Sequence, residues 1–180
     1  MRESTMDKTT ITKFRWFWAW QDEKEESWLG EMSGKGFHLA EVGLPGFYRF
    51  TVGQPRSYVY RLDYQPYFKK DRDNYLQIFQ DAGWEHIGEM ASWQYFRKEA
   101  APGEEPEIFT DNESKITKYK RLLGYLFIFL VPLWTVFIIQ LSESPYPWFR
   151  GIQIFILIVS LFFLYAVIRI LLRIRKLRSL

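Results

Sequence analysis

The residue types best suited to chemistry in this 180-residue chain are two histidines, His38 and His86, and an acidic run, Asp22, Glu23, Glu25, Glu26 and Glu31. Histidine serves both acid–base and metal roles near neutral pH. Neither histidine stands beside a second ligand motif, so both read as structural residues on strands. The acidic run is interrupted by Lys24 and falls at a helix start, which reads as a solvated face rather than a cation site. Asp71 and Asp73 read as helix caps. There is no glycine-rich phosphate loop, no Ser-His-Asp order and no zinc-binding spacing. The sequence holds no cysteine, which excludes thiol catalysis, disulfides and thiolate metal sites. The expectation is a non-enzyme with no cofactor and no metal. An enzyme acting on lipid or peptidoglycan precursors is the least favoured class, kept only because catalytic carboxylates need no motif.

Aromatic residues are the stronger signal. The chain has 8 Trp, 11 Tyr and 16 Phe. Six of the tryptophans, Trp16, Trp18, Trp20, Trp28, Trp84 and Trp93, precede residue 99. Large rings are seldom wholly enclosed, and indole N–H groups seek partners, so so many in one small domain point to a binding surface. The candidate lining is Trp16, Trp18, Trp20, Tyr58, Tyr60, Trp84 and Trp93, with Glu41, Asp63 and Glu89 available to a cation. Aromatic faces attract cations by about 0.5 to 2 kcal/mol. The functional expectation is a membrane-anchored cytoplasmic sensor or regulatory protein that binds an apolar or cationic small molecule, or a protein partner. The alternative is an assembly module in which the same surface is a homodimer or partner interface and no ligand exists.

The elements that must position these residues follow a repeated order. Lys13 to Trp20 alternates Phe14, Trp16 and Trp18 with Lys13, Arg15 and Phe17, as a strand with one buried face does. Asp22 opens a helix whose early acids suit its N-terminal dipole, with Trp28, Leu29 and Met32 on its apolar side and Gly34 and Gly36 as the stop. His38 to Val42 and Phe47 to Val52 read as strands joined by a turn at Gly43-Leu44-Pro45-Gly46. The second half repeats this: a strand over Ser57 to Tyr64, a helix from Asp71 or Asp73 to Gly83, and strands over Trp84 to Met90 and Ser92 to Lys98. An offset of 47 pairs Trp28 with Tyr75, Leu29 with Leu76, Met32 with Phe79, Gly36 with Gly83 and Phe37 with Trp84, which indicates an internal duplication. The following strand pair, Phe47 to Phe50 and Tyr95 to Arg97, is one residue out of register. The fold class is α+β: tandem strand-helix-strand-strand units forming a mainly antiparallel sheet with two helices.

Beyond residue 114 the composition changes. Two apolar runs, 122–141 and 152–172, each match the roughly 20 residues that cross a hydrocarbon core as a helix. The expected organisation is an α+β domain over 1–98, an acidic linker over 99–114 and a transmembrane hairpin over 115–180. The net charge of +3 divides unevenly. Residues 1–113 hold 14 Lys/Arg against 20 Asp/Glu, a net −6, and residues 114–180 hold 10 against one, a net +9. An acidic domain repels a phosphate backbone, so nucleic acid is excluded as its partner and membrane lipid is expected beside the basic flanks. Lys115, Lys118, Lys120 and Arg121 precede the first run, and Arg169, Arg173, Arg175, Lys176 and Arg178 end the second. Short cationic segments stay inside, which places a multi-pass protein in the cell membrane with both termini cytoplasmic. Tyr146 and Trp148 suit the outer headgroup belt, Pro132 reads as a kink in the first span, and the polar start Met1 to Thr12 gives no cleavable signal.

The run from Lys13 to Leu29, KFRWFWAWQDEKEESWL, followed by Met32 and Gly36-Phe37-His38-Leu39, resembles a domain-of-unknown-function membrane family of Gram-positive bacteria. The resemblance implies a cytoplasmic aromatic-rich domain followed by C-terminal spans. It also implies a setting beside PadR-type transcriptional repressors, hence a role in stress or envelope regulation. It supplies no catalytic residues. The repeat order is similar to that of gyrase-inhibitor-like proteins, which bind hydrophobic small molecules in a cleft between repeats, an analogy of architecture alone.

Overall fold

The computed structural model describes residues 9–43, 45–66, 71–101, 104, 106–108, 112–142 and 147–179. They belong to two compact units, Met1–Ile108 and Phe109–Leu180. Turn residue Leu44, linker residues 102, 103, 105 and 109–111, and most of the loop between the apolar runs, 143–146 with Glu143 and Tyr146, lie outside the described residues.

The first unit runs β1 (Thr10–Phe14), α1 (Asp22–Gly34), β2 (Phe37–Val42), β3 (Phe47–Val52), then β4 (Tyr58–Tyr64), α2 (Arg72–Asp81), β5 (Glu85–Met90) and β6 (Trp93–Glu99). Each half is strand, helix, strand, strand. The strands hydrogen-bond as two three-stranded antiparallel sheets, ordered β1-β3-β2 and β4-β6-β5. With each strand matched to its counterpart, the two orders are identical.

Local irregularities repeat as well. A register shift falls between Leu39 and Glu41 in β2 and between His86 and Gly88 in β5, again 47 residues apart. Gly36 and Gly83, which follow the two helices, have φ of +83° and +81°, a region that favours glycine. A Cβ on Gly36 would run into the Gly53 carbonyl oxygen, whereas one on Gly83 would meet only Lys98 Cε at 3.4 Å. The offset drops to 46 in the third strands, where Leu39 pairs with Phe50 and His86 with Phe96. The hairpin turn accounts for the lost residue. β5 and β6 are joined by only Ala91 and Ser92, both at positive φ (48° and 69°), the two-residue hairpin geometry whose twist suits flanking strands.

The first strand differs from the expectation of Lys13 to Trp20. It ends at Phe14, paired with Phe47, and Arg15 N–H then donates to Gly46 O at the end of the turn that precedes β3. Its partner strand β3 begins only at Phe47, so no ladder remains for Trp16 to Trp20. That segment instead forms a turn closed by Gln21 N–H to Trp18 O, with Gln21 Oε1 accepting from Trp18 N–H.

Each half caps an open strand edge of the other. On β2, an edge of its sheet, Leu39 N–H donates to Tyr60 Oη at 3.3 Å, and its carbonyl accepts from the Arg97 guanidinium at 3.2 Å. On β4, also an edge, Leu62 N–H donates to Glu26 Oε1 at 2.8 Å. Helix α1 runs close to that strand at Gly30, where a Cβ would make ordinary contact with Tyr58 O at 3.5 Å. Exposed edges template aggregation, and these contacts blunt two of them.

Helix α1 is consequently central. Asp22, Glu25, Glu26, Trp28, Leu29, Met32 and Ser33 are all buried on it, whereas α2 buries only Phe79. Trp28 packs edge-on against Tyr48 (4.9 Å between centroids) and Phe50 (5.7 Å); in the second half Phe79, Tyr75 and Phe96 make the equivalent cluster. Aromatic pairs of this kind add about 0.5–1.5 kcal/mol beyond area burial.

In the second unit, α3 (Asn112–Ser142) continues through Pro132 and α4 (Pro147–Arg178) packs against it. Both are long and apolar enough to cross a membrane. Outward rings and aliphatics such as Phe129, Trp134, Phe155 and Leu161 are exposed on them, the opposite of a soluble core helix.

Candidate functional site

Two features of the first unit could carry function: an aromatic surface beyond β1 and a polar junction between the halves. The surface arises because the chain leaves its ladder at Phe14 while the alternation continues. Arg15 lies over the Phe17 and Trp28 rings, 5.2 Å from each, which turns the other parity outward. Trp16 is 49% and Trp18 40% exposed. Trp16 meets Trp18 edge-on at 5.5 Å, and Trp18 stacks on half-buried Trp20 at 5.6 Å with the planes 5° apart. At the end of β1, exposed Phe14 and Phe47 pair at 5.0 Å. Gly46, at φ +89°, makes this possible: a Cβ there would sit 2.6 Å from Phe14 Cε2.

The polar junction is built on α1. Glu25 Oε1 accepts hydrogen bonds from Tyr48 Oη at 2.8 Å and from Tyr95 Oη at 2.7 Å, one tyrosine from each half. Burial pushes the Glu25 carboxyl up from its ordinary 4.5, against the two tyrosine donors, and nearby Asp22 adds to the rise. Burial and the carboxylate together push both tyrosines up as well, so they remain donors. The acidic helix start is therefore no solvated face. Asp22, Glu25 and Glu26 are buried, and only Glu23 and Glu31 of that run stay exposed. The reason is that α1 faces tyrosine hydroxyls and an open strand edge instead of water.

Of the residues expected to line one binding surface, only Trp16, Trp18 and Trp20 come together by direct ring contact as a group at the surface. Tyr60, Trp84 and Trp93 are core residues, and Tyr58 is partly buried beneath Arg97, 4.8 Å above its ring. Asp63 is 1% exposed and accepts from Tyr75 Oη at 2.8 Å. Glu41 pairs with Arg49 at the surface, and Glu89 with Arg72 and Gln94. His38 is clamped between Ser33 Oγ (2.8 Å) and Gln54 O (2.9 Å). His86 bonds Gln94 Oε1 at 2.8 Å, and burial lowers its pKa. Sequence reasoning missed Phe14 and Phe47 as members of the exposed surface and Glu25 as the junction. Among the described residues, no group of three or more His, Asp or Glu side chains could hold a metal ion.

Fold and surface together define a tandem-repeat α+β unit with an exposed tryptophan cluster, followed by two helices long and apolar enough to span a membrane. A family profile described as Protein of unknown function (DUF2812) matches residues 21–131, and the chain belongs to that family. The match takes in both halves from α1 onward and part of α3, and its description names no activity. Phe14, Trp16, Trp18 and Trp20 precede the matched residues. No curated protein and no solved structure matches the chain.

Proposed function

We propose that this protein is a non-enzymatic, membrane-anchored recognition module whose cytoplasmic first unit binds an apolar or cationic partner through the Trp16–Trp18 surface. The observation that carries this reading is the two half-exposed indoles in mutual contact, with Trp20 stacked on Trp18 and the exposed Phe14–Phe47 pair formed two residues earlier in the chain. Exposed aromatics of this density mark interaction sites, and Trp is the residue most often dominant at them. The net −6 of residues 1–113 favours a cation or a cationic segment over an anion. A regulatory role beside PadR-type repressors in a Gram-positive bacterium belongs to this proposal through the family resemblance, as does the placement of both termini in the cytoplasm through the basic flanks. Titration of the full chain with tetraphenylphosphonium, read by tryptophan fluorescence, tests the reading. Saturable quenching that is lost in W16A/W18A supports it; equal quenching in parent and variant contradicts it.

A specific observation favours self-assembly as a second reading. β1 is the outer strand of its sheet. Thr9 O and Arg15 N–H both bond toward β3, so by the alternation of an antiparallel ladder Thr10, Thr12 and Phe14 aim their backbone groups away from it. A second copy could add its own β1 there. Thr12→Pro keeps the β3 pairing and removes an outward donor, so on this reading it converts a dimer to a monomer in light scattering.

A further inference from the structure

We propose that the paired basic ends of α3 and α4 form a binding surface for anionic phospholipid headgroups. The two helices have 31 and 32 residues. At about 1.5 Å per residue each is roughly 46–48 Å long, against about 30 Å of hydrocarbon, so each has about ten residues to spare. Sequence decides at which end the excess falls. Asn112–Arg121 at the start of α3 carries Lys115, Lys118, Lys120 and Arg121 with one acid, Glu113, and Arg169–Arg178 at the end of α4 carries Arg169, Arg173, Arg175, Lys176 and Arg178 with none.

With only 143–146 between them, the packed helices are antiparallel, and these two ends lie side by side. The packing reaches into the basic ends: Ile116, Tyr119 and Leu122 are buried on α3, and Ile170, Ile174 and Leu177 on α4 at the spacing of a helix–helix seam. The cations thus stand on a rigid pair. Lys120, Arg169, Arg175, Lys176 and Arg178 are exposed around it, whereas Lys118 is buried. The five exposed cations on these two adjoining helix ends repel one another, and an anion relieves that repulsion.

The occupant follows from position. A helix pair long enough to cross the hydrocarbon puts the first residues beyond it at the depth of lipid phosphates, where each cation gains attraction from an anionic leaflet within a Debye length. A soluble anion would have to compete with that concentrated layer.

The test is the selectivity of the full chain, reconstituted in mixed bilayers, for spin-labelled phosphatidylglycerol over spin-labelled phosphatidylcholine. The expected result is a preference of about threefold or more that shrinks in high salt. It falls close to unity in K120Q/R169Q/R175Q/K176Q/R178Q. A variant exchanging Lys and Arg at those five positions keeps the preference and shows that loss in the glutamine variant reports charge and not misfolding. Equal association of the two lipids with the parent, or an unchanged preference in the glutamine variant, overturns the proposal. So does inorganic phosphate, at matched ionic strength, abolishing the preference, because the surface would then be a site for the free anion.

Discussion

Tyr95 donates a 2.7 Å hydrogen bond to Glu25 across 70 residues of chain, and that bond joins the second repeat to the central helix of the first. Tyr48 donates to the same oxygen from within the first repeat, so one carboxylate organises both. Glu25→Ala leaves two buried hydroxyls without their acceptor. The expected loss is about 2–5 kcal/mol in denaturant unfolding, whereas Glu25→Gln, which keeps an acceptor oxygen, loses about 1–2.

Glu25 also sets a pH dependence. Its native pKa is raised above 4.5, so the folded chain holds this proton more tightly than the unfolded chain. Its contribution to stability is fully present below 4.5 and is lost as pH rises through the raised native value. His86 works in the opposite sense: its native pKa is lowered from 6.5, so its contribution is present above 6.5 and lost as pH falls through the lowered value. The difference in unfolding free energy between parent and E25Q, followed from pH 4.5 upward, isolates the first effect. It shrinks or reverses in favour of E25Q with rising pH; a flat difference contradicts the assignment.

The matched glycines provide an asymmetric pair. Both sit in left-handed backbone, so Gly83→Ala loses about 1–2 kcal/mol for conformation alone. Gly36→Ala loses distinctly more, because its Cβ also strikes the Gly53 carbonyl. Thermal unfolding of the two variants orders them.

The Ala91–Ser92 turn is built from two non-glycine residues at positive φ. Replacing them by Asn-Gly, the pair this hairpin geometry prefers, raises stability by about 1 kcal/mol without altering the Met90–Trp93 register. Unfolding midpoints of parent and variant check the sign.

Much of the fold was legible because periodicity and glycine placement act locally. The offset of 47, read from Trp28 with Tyr75 and Gly36 with Gly83, reappears in the bulges at Leu39/Glu41 and His86/Gly88, and the one-residue slip in the third strands reflects the tighter Ala91–Ser92 turn. What was not legible depends on partners distant in sequence. The alternation of Phe14, Trp16 and Trp18 could not reveal that β3 begins only at Phe47, which ends the first strand early and leaves the tryptophans at the surface. Asp22, Glu25 and Glu26 looked solvated because Tyr48, Tyr95 and the Leu62 amide that face them lie 23 to 70 residues away. For the same reason Tyr60, Trp84 and Trp93, grouped with Trp16 as aromatic lining, and Asp63, set beside them as an acid for a cation, take buried positions instead.

On the function proposed above, recognition rests on Trp16 and Trp18, and the core tryptophans supply the contrast. Trp84→Ala and Trp93→Ala each lose about 3–5 kcal/mol, whereas Trp16→Ala stays within about 0.5 of the parent. The most direct measurement places a photo-crosslinking benzoylphenylalanine at position 16 in the full chain, in membranes of the cell that makes it. The control position is 78, where Ile78 is 59% exposed on α2. The account predicts a discrete adduct from position 16 that Trp18→Ala suppresses and that position 78 does not form; no adduct from position 16, or the same adducts from both positions, contradicts it.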